Sequence, residues 1–306
     1  MVVVQFCMID LHTHSTHSDG RQTVAQLLKR AEERGLVTLS ITDHNSVGAY
    51  LSDLRDPKVR NIFTGKIITG IEIAFEHDGV SNELLGYGFV PDKMALSPLL
   101  DKDRTYKMQM MFLEGVHARL TKLGFVVRDL ETVKAGMANC WSVRSQFKPD
   151  FQNEANADVI RKLCKKYGYT DFRTLFINEF VQPTGKYYVP RGKDTMAVAA
   201  GAIKDAGGLV FMAHPSRVNS GKIIPLLDYA RKHNLIDGVE VYYSEHSDEH
   251  IRAMEKYCKK YNLLMSGGSD SHDETVRLAR KKGEDTGKDL VPQAAVSVWA
   301  DKLNHF

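Results

Sequence analysis

Strand-length apolar runs alternating with helix-length segments constrain this chain more than any other feature. Residues 8–11 form a short apolar run that ends in a polar cluster, and the helix after it carries its own start and stop signals. Thr23 caps it with Gln26 in the capping-box position, and Gly35 ends it. Between them Val24, Leu27, Leu28 and Ala31 recur at i, i+3, i+4 and i+7, which gives one buried stripe. Strands are predicted over 37–42, 66–74 and 84–90. The alternation resumes beyond residue 190, with helices at 196–206, 223–232 and 248–261 and strands at 209–213, 236–242 and 263–266. Strands alternating with helices predict an α/β fold with a helix-covered parallel sheet, whose chemistry sits in loops at the strand C-termini.

Residues from about 100 to 186 break this rhythm. Long helical stretches over 102–123, 155–167 and 172–179 replace it, and only one of the twelve histidines, His117, lies there. The segment reads as a helical insertion in an otherwise alternating chain, with a further strand over 187–190 where the first pattern returns.

Composition removes several function classes. A chain of 306 residues with 43% hydrophobic side chains is not disordered as a whole, and has room for one large α/β domain or a barrel with an insertion. Basic residues outnumber acidic ones by 41 to 38, a net charge of +3, so the surface lacks the basic run that a grip on duplex DNA requires. The cysteines, Cys7, Cys140, Cys164 and Cys258, lie far apart and form no C-x-x-C pair, which suggests neither a zinc ribbon nor a disulfide framework. Val2 to Val4 is too short for a signal sequence and no stretch approaches bilayer length, so the expected setting is the cytoplasm, without membrane partners.

The histidines cluster beside carboxylates at predicted strand ends, the pattern of a metal site. His12 and His14 are spaced i, i+2, so along an extended chain their imidazoles share one face. Asp19 returns from the following loop as an oxygen donor, and Gly20 allows the tight turn. His17 divides between a contact with the site and plain exposure. His44 follows the second strand, Glu72 ends the third, and His214, Glu245-His246 and Asp270-x-His272 follow three later ones. If these converge, Glu72 is placed to bridge two cations.

These residues, in order, resemble the PHP (polymerase and histidinol phosphatase) superfamily of metal-dependent phosphoesterases. Asp10-Leu11-His12-Thr13-His14-Ser15 with Ser18-Asp19-Gly20, Thr42-Asp43-His44-Asn45, Gly70-Ile71-Glu72, Ala213-His214-Pro215 and Asp270-Ser271-His272 match its successive motifs. The resemblance covers residues 8–90 and about 187–275. It implies a distorted (β/α)7 barrel formed by 1–100 and 187–306, with 101–186 as an inserted helical domain roofing the site. It also implies two or three divalent metal ions, Mn, Fe or Zn, and hydrolysis of phosphate esters by a metal-bridged hydroxide. The ligand positions fall on His12, His14, Asp19, His44, Glu72, His214, Asp270 and His272, and Glu83 stands where related sequences often carry histidine. Where relatives show Arg-Pro-His in the insertion, this chain has Val143-Arg144-Ser145-Gln146, which leaves Arg144 as a substrate contact there.

Phosphoryl oxygens need cationic clamps, for which Arg217 and Arg191 are placed. His246 divides between ligating a third metal and protonating the leaving oxygen. The implied substrates are phosphomonoesters of nucleotides, such as nucleoside 3′,5′-bisphosphates, or the 5′ ends of short single-stranded RNA. Histidinol phosphate is the alternative phosphatase substrate. An amidohydrolase-type C–N hydrolase and a non-catalytic metal-bearing barrel are the alternatives from other classes.

Overall fold

The computed structural model describes residues 8–78, 80–137, 143–182, 184–190, 192, 194–218, 220–280, 290–303 and 306. Its chain divides into two compact units. One comprises residues up to Phe75, 82–100 and from Asp194 onward, and the other comprises 76–81 and 101–193.

The first unit is built on β1 (Met8–Asp10), α1 (Val24–Arg34), β2 (Leu36–Ile41), β3 (Lys66–His77), β4 (Val80–Tyr87) and β5 (Asp194–Thr195). It continues with α2 (Met196–Asp205), β6 (Leu209–Met212), α3 (Ser220–Lys232), β7 (Gly238–Tyr243), α4 (Asp248–Tyr261), β8 (Leu264–Gly268) and α5 (Gln293–Ala300). α1 forms for the reasons its sequence gives: Thr23 and Gln26 close a capping box, Gly35 ends it at φ 74°, and Val24, Leu27, Leu28 and Ala31 are its buried residues.

The sheet runs β1-β2-β3-β4-β6-β7-β8, and β5 pairs with β3. β1–β2, β2–β3, β6–β7 and β7–β8 are parallel, whereas β4 and β6 are antiparallel. The architecture is therefore α/β with a mixed sheet. Among the described residues no ladder joins β1 to β8, so the closed (β/α)7 barrel is not reproduced at that level. β1 is only three residues long, and β4 enters without a crossover helix. Past the end of β1 the backbones do meet: Leu11 N–H donates to Gly267 O of β8 at 3.1 Å, Asp270 N–H to His12 O at 2.8 Å and His14 N–H to Ser271 O at 2.9 Å. Gly268 permits this approach, since a Cβ there would stand 2.4 Å from His12 N.

Two expectations need correction. Glu72 does not end its strand, because β3 continues to His77. Residues 187–190 are not a strand. Tyr187 N–H goes to Glu179 O at 2.8 Å and Val189 N–H to Phe180 O at 3.1 Å, so these donors serve the end of the preceding helical turns instead of a sheet.

The second unit is helical. Lys102–Lys122 starts on Asp101, whose carboxylate accepts from the amides of Asp103 and Arg104. With Ala157–Tyr167 and Phe172–Phe176 it encloses a core that includes Phe112, Leu120, Phe147, Leu163, Phe172 and Phe180. The one carboxylate buried there among the described residues, Asp150, is paired: Arg128 Nη2 lies 2.9 Å from its Oδ2.

Candidate metal centre

Every residue of the site belongs to the first unit. His12 and His14 extend from β1, His44 follows β2, and Glu72 and Glu83 project from β3 and β4. His214 follows β6, and Asp270 and His272 follow β8. Two residues of this set, and one neighbour of it, have φ above zero at strand ends. His214 has φ 22°, Asp270 56° and Asn45, next to His44, 47°. Each such conformation costs about 1–3 kcal/mol and persists only where neighbours enforce it. Here the enforcers are hydrogen bonds: the amide of Asn45 donates to Glu72 O at 3.0 Å, that of Asp270 to His12 O at 2.8 Å and that of His214 to Glu240 Oε2 at 2.7 Å.

The donors form three groups, two of which contain Glu72. In the first, His12 Nε2 lies 3.3 Å from Glu72 Oε2 and 3.4 Å from Asp270 Oδ1, and His14 Nε2 lies 3.3 and 3.1 Å from the same two atoms. A tetrahedral cation with bonds of about 2.1 Å separates its donors by about 3.4 Å, so these spacings suit one ion. The second group is His14, Asp19, His44 and His272, with His272 Nε2 3.3 Å and His44 Nε2 3.8 Å from the Asp19 carboxylate. In the third, His44 Nδ1 is 3.3 Å from Glu72 Oε2 and 3.9 Å from Glu83 Oε1. His214 Nε2 closes on the same pair, 2.8 Å from Glu72 Oε1 and 3.3 Å from Glu83 Oε2.

Hydrogen bonding alone does not account for this arrangement. His12 Nε2, both ring nitrogens of His14 and His214 Nδ1 are buried without a hydrogen-bond partner. The carboxylates near the two Nε2 atoms are close enough, but not in a hydrogen-bonding direction. Buried polar atoms are rarely left this way, and divalent cations would satisfy them. The charges agree. Burial pushes the histidines toward neutrality, yet the surrounding carboxylates outweigh it, holding His12 well above its ordinary value, His14 up to about 10 and His214 to about 9. Against the same burial, which favours their neutral forms, Glu72 and Asp270 are held well below the carboxylate range by His12 and its neighbours. The residues fit a metal centre.

Arg217 lies at the edge of this centre, its Nη2 2.7 Å from Asp270 Oδ2 and 2.6 Å from Tyr243 Oη. Asp270 thus turns Oδ1 to the histidines and Oδ2 to the guanidinium. The other expected residues are placed elsewhere. His246 is fully buried, its Nδ1 2.8 Å from Val241 O while its Nε2 accepts from Ser216 N–H at 3.4 Å, and it joins none of the three groups. His17 Nε2 pairs with Asp53 Oδ2 at 2.7 Å. Arg144 is exposed on the short helix Val143–Gln146 of the second unit, and Arg191 lies outside the described residues.

Sequence reasoning missed several supports. Asp43 accepts from Ser15 N–H at 2.7 Å, Ser15 Oγ at 2.6 Å and Ser18 Oγ at 2.6 Å, which shapes the loop after His14. Asp10 holds the amides of Ser269 and Ala279 at 2.9 and 2.7 Å. Glu240 was announced by one signal, a carboxylate inside the otherwise uncharged strand Gly238–Tyr243.

Comparison with known proteins decides the family. The PHP domain model matches residues 10–293. The chain belongs to the PHP domain family. A 3′,5′-nucleoside bisphosphate phosphatase of Chromobacterium violaceum is 27% identical, with 86% of this chain and 87% of that protein covered. A phosphoribosyl 1,2-cyclic phosphate 1,2-diphosphodiesterase of Eggerthella lenta is also 27% identical, at 88% and 95% coverage. A 5′-3′ exoribonuclease of Escherichia coli is 26% identical, at 89% and 88%. Among solved structures, one described as an amidohydrolase from Chromobacterium violaceum with bound sulfate and no metal superposes with a TM-score of 0.63. It is 24% identical over 87% of this chain and 88% of that one, a likeness of fold. As a PHP-domain protein with this donor set, the chain is a metal-dependent phosphoesterase, a hydrolase. No described helix is long and apolar enough to cross a membrane.

Proposed function

We propose that this phosphoesterase hydrolyses phosphomonoesters of nucleotides, such as nucleoside 3′,5′-bisphosphates, or the 5′ ends of short single-stranded RNA, using two or three divalent ions of Mn, Fe or Zn. The observation that carries the reading is three donor groups linked through shared residues, Glu72 in two of them and His14 and His44 joining the third, beside a half-exposed arginine. The ligands are His12, His14, Asp19, His44, Glu72, Glu83, His214, Asp270 and His272. Cations bound there would supply Lewis acidity and water acidified to a pKa of about 7. Arg217 binds the phosphoryl group. Two of its contacts are fixed by Asp270 and Tyr243, and a guanidinium has five N–H donors, so others remain for phosphoryl oxygens. The matched nucleoside bisphosphate phosphatase and exoribonuclease support the nucleotide class, and the matched cyclic-phosphate diesterase defines the competing one.

The test is hydrolysis by Mn²⁺-loaded protein, read as phosphate release from AMP, a nucleoside 3′,5′-bisphosphate and histidinol phosphate, and by chromatography of the products from short 5′-phosphorylated RNA, a ribose 1,2-cyclic phosphate and, as a C–N substrate, dihydroorotate. Elemental analysis accompanies it. The expected result is at least two equivalents of transition metal and the highest kcat/KM on a nucleotide or RNA end. Preference for histidinol phosphate or the cyclic diester overturns the nucleotide assignment; turnover of dihydroorotate alone overturns phosphoester chemistry.

A further inference from the structure

Glu240 lies on β7, fully buried, and none of the three donor groups includes it. Its two oxygens have separate tasks. Oε1 stands 2.8 Å from His12 Nδ1, and Oε2 accepts the amide hydrogen of His214 at 2.7 Å. A carboxylate only accepts, so the first contact requires the proton of His12 to sit on Nδ1. In the neutral ring, the form that binds a cation, that leaves the lone pair on Nε2, the buried nitrogen that faces Glu72 and Asp270 without a hydrogen bond of its own. The second contact holds the backbone of His214 at φ 22° and ψ 64°, outside the usual range of a side-chain-bearing residue. One side chain thus governs two donors from opposite halves of the sheet order, one by its tautomer and the other by its backbone.

We infer that Glu240 is a positioning residue that makes His12 and His214 competent to bind metal, and that this requires two acceptor oxygens on one buried group. The inference rests on the metal reading of these donors.

The demand for two acceptors separates it from a merely space-filling role. Glutamine has the same shape but one acceptor. The amide of His214 can only donate, whereas a neutral imidazole can donate or accept. In Glu240→Gln the side-chain oxygen therefore stays with His214, and the NH2 group turns to His12 Nδ1. The His12 proton then moves to Nε2, where it blocks the metal-facing lone pair.

The tautomer is read directly in metal-free protein by long-range ¹H–¹⁵N correlation of the histidine rings, with assignment of His12 and with the pH raised until its ring is neutral, because below that point the surrounding carboxylates keep both nitrogens protonated. The wild type is expected to show Nδ1 protonated and Nε2 bare, and Glu240→Gln the reverse. Mn²⁺ equilibrium dialysis on the same samples should show affinity for the tightest site falling about 10- to 100-fold in the variant, the range expected when an outer partner of a ligand is lost. A neutral wild-type His12 ring that carries its one proton on Nε2 overturns the inference, even if the variant fails to fold. So does a folded Glu240→Gln protein with unchanged tautomer and affinity. Failure of the metal reading looks different: the wild type itself would bind no Mn²⁺ while its tautomer remained as stated.

Discussion

Removing one oxygen atom from Tyr50 should weaken both the fold and the metal centre. The Tyr50 hydroxyl is buried between β2 and β3, where it accepts from Ile41 N–H at 3.1 Å and from Gly70 N–H at 2.8 Å, and donates toward Ile41 O at 2.8 Å and Ile68 O at 3.1 Å. Ile41 is the last residue of β2 before His44, and Gly70 precedes Glu72 on β3. Tyr50→Phe keeps the ring, and with it the packing against Phe89 and Phe306, so the loss is confined to hydrogen bonds. Leaving a buried donor unsatisfied costs about 1–3 kcal/mol, and two weakened donors together give about 2–4 kcal/mol. For a domain of this size that is a fall in Tm of about 5–12 °C. The measurement belongs on EDTA-treated protein, because bound metal adds stability by mass action and would obscure the difference. Calorimetry gives Tm, and Mn²⁺ dialysis should show weakened binding as well, since His44 and Glu72 lose their common anchor. A metal-free Tm within about 2 °C of the wild type would refute the reasoning, by showing that water or backbone adjustment replaces the hydroxyl.

The remaining predictions concern the centre itself. His14→Ala and Asp270→Ala should each abolish phosphate release by orders of magnitude and lower the bound metal, while metal-free unfolding stays cooperative, because residues at the C-terminal ends of strands seldom carry the stability of the core; turnover and metal content are the checks, and unaltered turnover in either contradicts its assignment as a ligand. Arg217→Ala should raise KM and lower kcat together, since the guanidinium meets ground-state and developing phosphoryl charge alike, with kcat/KM falling about 10²- to 10³-fold. Initial-rate kinetics on the preferred phosphomonoester decide it, and an unchanged kcat would leave Arg217 with ground-state binding alone.

Local chemistry determined much of this protein in advance. The capping box of α1, its stripe of Val24, Leu27, Leu28 and Ala31 and its glycine stop follow from interactions within a dozen residues, and the structure has all of them. The alternation of strands and helices was legible for the same reason, since each element's period depends on its own residues. So were the histidines and carboxylates of the candidate site, because they interrupt apolar runs. Tertiary structure decided everything that depended on partners distant in sequence. The reversal of β4 against β6 makes the sheet mixed, and a strand's own pattern says nothing of its neighbour's direction. Residues 187–190 carry strand-like side chains, yet their amides are taken by Glu179 and Phe180. His246 has the composition of a site residue, and only the fold shows its ring nitrogens facing Val241 O and the Ser216 amide, apart from the three donor groups. Glu240 had the composition of a misplaced charge, and only the arrival of His12 and His214 from β1 and β6 gives each of its oxygens a partner. A sequence shows which groups are able to bond, and the fold alone brings their partners within reach.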